Sequence, residues 1–510
     1  MTHRKILVIG FDSAEPTLLD EWCGDGTLPN LKSLRDRSAW ASVSYPPFLG
    51  SGAIWPSLLT GVTPATHGRY FFLQIKPGTY EQYSFPREQL ASRPLWDVLS
   101  ENGKRCIVVD VPKFGLNDNI NGVQVVDWMV HDRRSQTPQV TPKRLSDELI
   151  SNYGLDSISR CDSVDPTPEG LGALYASLAR RIRLKTEFTT DLLKKEDWDL
   201  CCTVFHDPHC IGHQSWHARD SKHPRHDNEL SNHVGDPVRK VYLELDRAVG
   251  RLLDCVDTDT LVVFFSGPGM GPNYTGNHLL EAVLGRLDQR RPKLGRRLMM
   301  SARHTWHRLP RRIKFFQPLR KRAKNAADAA DARGWADCTF FPVPHNDIAG
   351  AIRLNVAGRE PQGVVQPGEH FDRVLHQLRQ DLLELRNLET DEPMVSSVCL
   401  SSEYFDRNCP HFDELPDVFV NWNRNAPISR VGSTKAGIVA GEFRARRTGD
   451  HTPNAVIFAA HGNIQAGEMP EPVNLYAIAP TLAAHLGVAM NQAEAQPDIR
   501  FGATARGIVP

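Results

Sequence analysis

The sequence predicts an α/β fold: a doubly wound, mixed but mostly parallel sheet flanked by helices, with a basic helical insertion. Short apolar runs that stop at a polar or acidic residue alternate with amphipathic segments along most of the chain. That is the pattern of strands buried on both faces by crossover helices. The first run, Lys5–Asp12, reads KILVIGFD, and its terminal acid falls at the carboxyl edge, where open α/β sheets bind ligands. Composition changes sharply once, from Leu284 to Lys324, where fifteen Lys and Arg accompany a single acid.

At 510 residues the chain has room for one large α/β domain with insertions, or about two to three ordinary domains. No long linker or internal repeat divides it. Residues 1–283 and 334–510 are therefore expected to build one core, with residues 284–333 as a basic insertion or cap. Net formal charge is zero, which makes no case for nucleic acid or a membrane surface as partner. Met1–Lys5 leads straight into Ile6–Ile9, no apolar run reaches membrane-spanning length, and the ten cysteines include no C-x-x-C pair. The expectation is a cytoplasmic protein with reduced thiols and no membrane span.

Taken in order, Lys5–Asp12 is a buried strand, and Ser13 with Pro16 opens a helix. Asp12 is either a ligand-facing acid or an ordinary helix cap. Trp40–Ser44 reads as a second strand leading to Phe48–Gly68, FLGSGAIWPSLLTGVTPATHG. There Gly50 and Gly52 relax the backbone around Ser51, and a helix over roughly Ile54–Leu59 is stopped by Gly61 and Pro64. A hydroxyl at a helix start faces free N–H groups that favour an anion, though taken alone an ordinary capping Ser is the commoner explanation.

Pro94–Asn102 is a helix and Arg105–Pro112 a strand. Gly170–Leu193 and Asp236–Val256 are amphipathic helices; Val238, Val241, Tyr242, Leu245, Val249 and Leu252 form the core stripe of the second. Leu200–Phe205 is a strand running into a cluster of imidazoles and one acid, Asp207, His209 and His213. Asp259–Ser266 is another strand, ending in the turn GPGMG at Gly267–Gly271. Ile352–Val356, Met394–Leu400, Asp417–Asn423 and Ala455–Ala460 continue as strands, with helices at His370–Leu388 and Tyr476–Leu486.

Asp12, Ser51, the Asp207–His213 cluster and His451 (in GDHTP) thus all follow predicted strands. Imidazoles with a carboxylate suit zinc or its neighbours, because borderline ions accept nitrogen and oxygen together. A lone loop histidine is commonly a surface residue; the recurrence at four places is what favours a metallohydrolase.

Several motifs then resemble a known family. The strand ending in Asp12, the S-x-x-x-W-x-S-L-x-T-G-x-x-P-x-x-H-G segment from Ser51 to Gly68, Gly212–His213, Gly449–Pro453 and APTLAAHLG at Ala479–Gly487 are similar to the alkaline phosphatase superfamily, in particular its type I phosphodiesterase and nucleotide pyrophosphatase branch. The resemblance spans nearly the whole chain apart from Leu284–Lys324. It implies an alkaline phosphatase-like core, a site for one or two divalent ions (zinc, with manganese or iron as alternatives) and a hydroxyl nucleophile at Ser51 that attacks phosphorus in line.

One metal site of that family takes an Asp and a His from D-x-x-G-H plus a late His. Here His209 stands at the Asp position, His213 and His451 match, and Asp207 is a nearby alternative carboxylate. The other site takes Asp12, Ser51 and an Asp-His pair from an S-D-H-G-M turn. This chain has Gly267 and Pro268 instead, so that site is degenerate; His278 is a conceivable substitute. The phosphate-holding Asn of nucleotide-hydrolysing members is also missing, with Phe72 near its position. The implied function is a metal-dependent phosphoric ester hydrolase acting on a small anionic phosphoester, a phosphodiester first. The alternative is a catalytically inactive member that serves as a binding protein.

Overall fold

The computed structural model describes residues 4–158, 161–288, 334–346, 348–443, 446–498 and 500. The expected basic insertion, residues 284–333, lies outside these from residue 289 onward. The chain divides into two compact units, one of residues 1–69, 87–273 and 445–510, the other of residues 70–86 and 274–444.

The first unit is built on a 10-stranded sheet. Its centre runs in the order Thr260–Ser266, Lys5–Phe11, Leu200–Phe205, Cys106–Val109, Gly122–Val126, all parallel. Val456–Ala460 flanks this block antiparallel on one side, followed by Ala39–Ser44, antiparallel to it and so running with the block, and Gln139–Thr141 is antiparallel on the other. The middle strands are buried along essentially their full length, as near-continuous apolar runs require when helices cover both faces. Phe11 meets Phe264 edge-on at 4.9 Å and Phe205 at 6.0 Å, tying three neighbouring strands into one core. The Pro237–Leu253 helix buries Val238, Val241, Tyr242, Leu245, Val249 and Leu252, the stripe expected from the sequence.

The second unit carries a sheet of its own. Phe340–Pro342, Ala349–Leu354, Val418–Trp422 and Val395–Leu400 form a separate four-stranded antiparallel sheet with its own apolar cluster. Of the late segments, Val456–Ala460 and the short strands after it return to the large sheet. An apolar run shows that a strand is buried and carries no information about which sheet buries it. The His370–Leu388 helix likewise ends early, at Leu383, and Arg386–Asn387 pairs as a strand.

Each of the ten cysteines carries a free thiol. Among the described residues no helix is long and apolar enough to cross a membrane.

Candidate metal centre

The carboxyl edge of the parallel block collects the site, all of it within the first unit. Asp12 directly follows the Lys5–Phe11 strand and is fully buried. It is not a helix cap, because Glu15 accepts from Thr17 N at the start of Pro16–Gly24. Ser51 is the first residue of the Ser51–Thr60 helix, 6% exposed, and the cap position belongs to Gly50. Its hydroxyl is thus presented at a helix N-terminus and not spent on capping.

His209 and His213 lie one turn apart on the buried Asp207–Arg219 helix, so they share a face. His451 comes from the short Gly449–Thr452 strand and pairs in register with Met270 of Gly269–Pro272. The GPGMG segment therefore contributes by backbone pairing that holds His451. Helix and strand approach closely because neither Gly212 nor Gly449 has a Cβ: one on Gly449 would lie 2.3 Å from the Gly212 carbonyl oxygen, and one on Gly212 would lie 2.6 Å from Met270 Cγ. The three rings then converge, with centroids 4.4 Å (His209–His213), 5.0 Å (His209–His451) and 4.9 Å (His213–His451) apart. One ligand atom from each lies within 4.8 Å of the others.

The tautomer of His213 is fixed. Its Nδ1–H donates to the Gly449 carbonyl at 2.7 Å, which leaves Nε2 unprotonated and accepting from the Arg447 guanidinium. Arg447 Nη1 lies 3.4 Å from that nitrogen, and the guanidinium is held by both oxygens of Asp162 at 2.9 and 2.7 Å. Burial, then the neighbouring positive groups, pushes His209 and His213 well below the usual imidazole range. Both rings are neutral at pH 7, the form that ligates.

A second group meets this one at His209. Asp12, His131 and His209 also offer ligand atoms within 4.8 Å of one another, and the His131 and His209 rings stack at 3.9 Å. Sequence reasoning missed His131 because it missed the strand before it, Gly122–Val126. The available signal was the apolar alternation of GVQVV followed by DWMVHD. The loop that carries His131 is pinned at its base. Asp110 accepts from Trp128 N at 3.0 Å and Met129 N at 2.9 Å, while Lys185 Nζ donates to the carbonyls of Met129 (3.0 Å) and Val204 (2.8 Å) and pairs with Asp110 Oδ2 at 3.0 Å.

Asp12 Oδ1 accepts from Trp55 Nε1 at 3.0 Å and Ser13 Oγ at 3.2 Å. Burial opposes its ionisation, yet His206, Lys113 and His131 together hold the carboxyl down at about 2. Asp207 does not join either group. It faces Arg181, Nη1 to Oδ1 at 3.9 Å, and burial pushes it up to about 6. His278 belongs to the second unit, with its Nε2 3.2 Å from the Gly441 carbonyl.

The donor set fits a divalent ion. His209 Nδ1 and Asp12 Oδ2 are buried without a hydrogen-bond partner, and neutral imidazoles with one ionised carboxylate are what zinc and its neighbours accept. The Gly267 position, by contrast, has no room for a ligand: a Cβ there would lie 2.6 Å from Ala455 Cβ.

A family model described as type I phosphodiesterase / nucleotide pyrophosphatase matches residues 6–398. Among solved structures, phosphonoacetate hydrolase from Sinorhizobium meliloti 1021 bound to phosphonoformate is 13% identical at a TM-score of 0.54, covering 95% of this chain and 96% of that one. An inactive form of murine ectonucleotide pyrophosphatase / phosphodiesterase 5 in complex with AMP is 12% identical at a TM-score of 0.48, covering 96% of each chain. The first of these likenesses supports the α/β fold. No curated protein matches the chain.

Proposed function

The chain belongs to the type I phosphodiesterase / nucleotide pyrophosphatase family, and from that premise we propose that it hydrolyses phosphate esters, a phosphodiester first, with Ser51 as nucleophile. In this reading His209, His213 and His451 hold one divalent ion, zinc by the preference of imidazole donors. The observation that carries the proposal is the convergence of these three buried histidines beside an ionised Asp12, at the sheet edge where Ser51 opens a helix.

When bound, the ion supplies Lewis-acid stabilisation of charge on the phosphoryl oxygens. The chain's own groups do the rest. The free N–H groups of the Ser51–Thr60 helix favour an anion at its start. Arg447, braced by Asp162, adds positive charge beside His213. Asp12, held anionic at the same sheet edge, takes the Ser51 proton as the oxygen attacks phosphorus. The Ser51 oxygen–phosphorus bond forms as the bond to the leaving oxygen breaks and that oxygen is protonated, and water then cleaves the Ser51 phosphoryl ester, restoring the hydroxyl and releasing the phosphate monoester.

The reading is tested on the full chain reconstituted with zinc, manganese or iron, using bis(p-nitrophenyl) phosphate. Ser51→Ala should lower kcat by at least about 1,000-fold while folding and metal content stay the same. Full activity in Ser51→Ala removes Ser51 as nucleophile. A second reading, a binding protein without catalysis, is favoured by the Gly267–Pro268 turn that replaces Asp-His. It gains if the metal-loaded wild type turns over neither phosphomonoesters nor phosphodiesters.

A further inference from the structure

We propose that the cavity beyond His213 is the leaving-group pocket of the site, and that the alcohol it takes is polyhydroxylated. The inference deepens the phosphoester-hydrolase reading and rests on it, since it names the substrate class of that same site.

A cavity of about 630 Å³ lies within the first unit, between the Asp207–Arg219 helix, the start of Pro168–Lys195, the Asn228–Val234 helix and residues 446–448. That volume suits a small organic ligand. Its place follows from the helix that carries the histidines. His209 offers a ligand atom within 4.8 Å of Asp12. His213 and then His217 follow at four-residue spacing, each about 6 Å farther along the axis, and His217 lines the cavity. The cavity thus lies past His213 on the side away from Asp12, to which Trp55 ties the Ser51 helix. In-line displacement expels the leaving oxygen opposite the attacking one, which is toward the cavity. Cavity and histidines share one wall. Thr448 N donates to the His213 carbonyl at 2.7 Å, and Gln214 Nε2 donates at 3.3 Å to Asp162, the carboxylate that holds Arg447.

The lining selects the ligand. Its floor is polar and buried, with Gln214 5% and His217 4% exposed. Gln214 spends Nε2 on Asp162, and His217 Nδ1 meets Thr448 Oγ1 at 3.0 Å. Among the described residues no hydrogen bond engages Gln214 Oε1 or His217 Nε2. Buried polar atoms of this kind are paired in native proteins, here by a ligand. The rim is exposed and balanced in charge, Arg225 and Arg446 against Asp227 and Glu229; Asp227 also caps the Asn228–Val234 helix through Oδ1. Formal charges cancel, so a charged substituent gains little from the rim. Hydroxyl groups gain more, because they donate to carboxylates and accept from guanidiniums. Val164, Leu171 and Leu230 form an apolar wall for the carbon skeleton. A polyol such as glycerol, an inositol or a sugar satisfies all three surfaces. A plain alkyl alcohol leaves the floor unpaired.

The full chain loaded with zinc, manganese or iron is assayed by phosphorus-31 NMR on the methyl phosphodiesters of glycerol and of 2-methoxyethanol, with bis(p-nitrophenyl) phosphate as reference. Cleavage releases the alcohol and methyl phosphate. The wild type should favour the glycerol ester in kcat/KM by at least about 10-fold. Gln214→Leu and Glu229→Leu should each reduce that preference by at least about 3-fold. Equal kcat/KM for the two esters in the wild type overturns the proposal and leaves the hydrolase reading intact. A preference that both variants retain in full does the same, as does turnover of the reference with neither methyl ester cleaved. No turnover of any of the three overturns both this inference and the hydrolase reading. Should the variants fail to fold, the wild-type ratio still decides.

Discussion

Trp55 Nε1 donates to Asp12 Oδ1 across 3.0 Å, and Trp55 stands one helical turn after Ser51. This bond ties the helix that presents the hydroxyl to the strand that presents the carboxylate. Residues four apart on a helix share a face, so Ser51 lies on the same face of the helix as Trp55. The indole is further fixed by an edge contact with Phe265 at 5.3 Å. Trp55→Phe keeps most of the apolar volume and removes the donor. Stability is expected to fall by about 1.5–3 kcal/mol in urea unfolding, and phosphodiester turnover by about 10- to 100-fold.

Glu15 sets the position of His451 from a distance. Its carboxylate accepts from Met270 N at 2.9 Å, Thr452 Oγ1 at 2.7 Å and Asn454 Nδ2 at 3.1 Å, clamping both strands of the pair that carries the histidine. Glu15→Ala leaves the buried Met270 N–H unpaired and removes the acceptor of the half-buried Thr452 hydroxyl and the exposed Asn454 amide. The expected cost is about 2–5 kcal/mol, with metal affinity weakened about 10- to 100-fold in a competition titration against a chromogenic chelator. Unchanged affinity would show that His451 is placed by strand pairing alone.

Lys185 is completely buried and joins the long Pro168–Lys195 helix to the base of the His131 loop. Lys185→Met fills the volume but strands Asp110 without its cation. Unfolding free energy should drop by about 3–5 kcal/mol. Native-state hydrogen exchange at the Trp128 and Met129 amides, which Asp110 accepts, should accelerate as well.

Acid should destabilise the metal-free protein. Burial holds His217 and His485 down at about 4, and it lowers His209 and His213 in the same direction. Such groups are stabilising above the unfolded imidazole value of about 6.5, and the contribution is lost as pH falls toward 4. Asp207, raised to about 6 by burial, works in the opposite sense: its contribution is present below about 3.9 and lost as pH rises through 6. Four histidines outweigh one carboxyl. Urea unfolding with chelator present should show stability lower at pH 5 than at pH 7 by at least about 2 kcal/mol. His485→Leu should flatten that slope.

Four of the five parallel strands were legible in the chain because they are near-continuous apolar runs with a fixed relation to the polar residues that end them; Gly122–Val126, interrupted by Gln124, was not. Asp12, Ser51, His209, His213 and His451 could each be marked as following such a run, and the Pro237–Leu253 stripe followed from helical spacing alone. The tertiary structure decided what spacing cannot encode. That Asp207 turns to Arg181 while His131 turns to His209 depends on which strands are neighbours, and residues 131 and 209 are joined only through the sheet order. That residues 340–422 build their own antiparallel sheet depends on pairing partners, which an apolar run does not name. Sequence periodicity records whether a side chain is buried; convergence of donors on one point is a property of long-range packing.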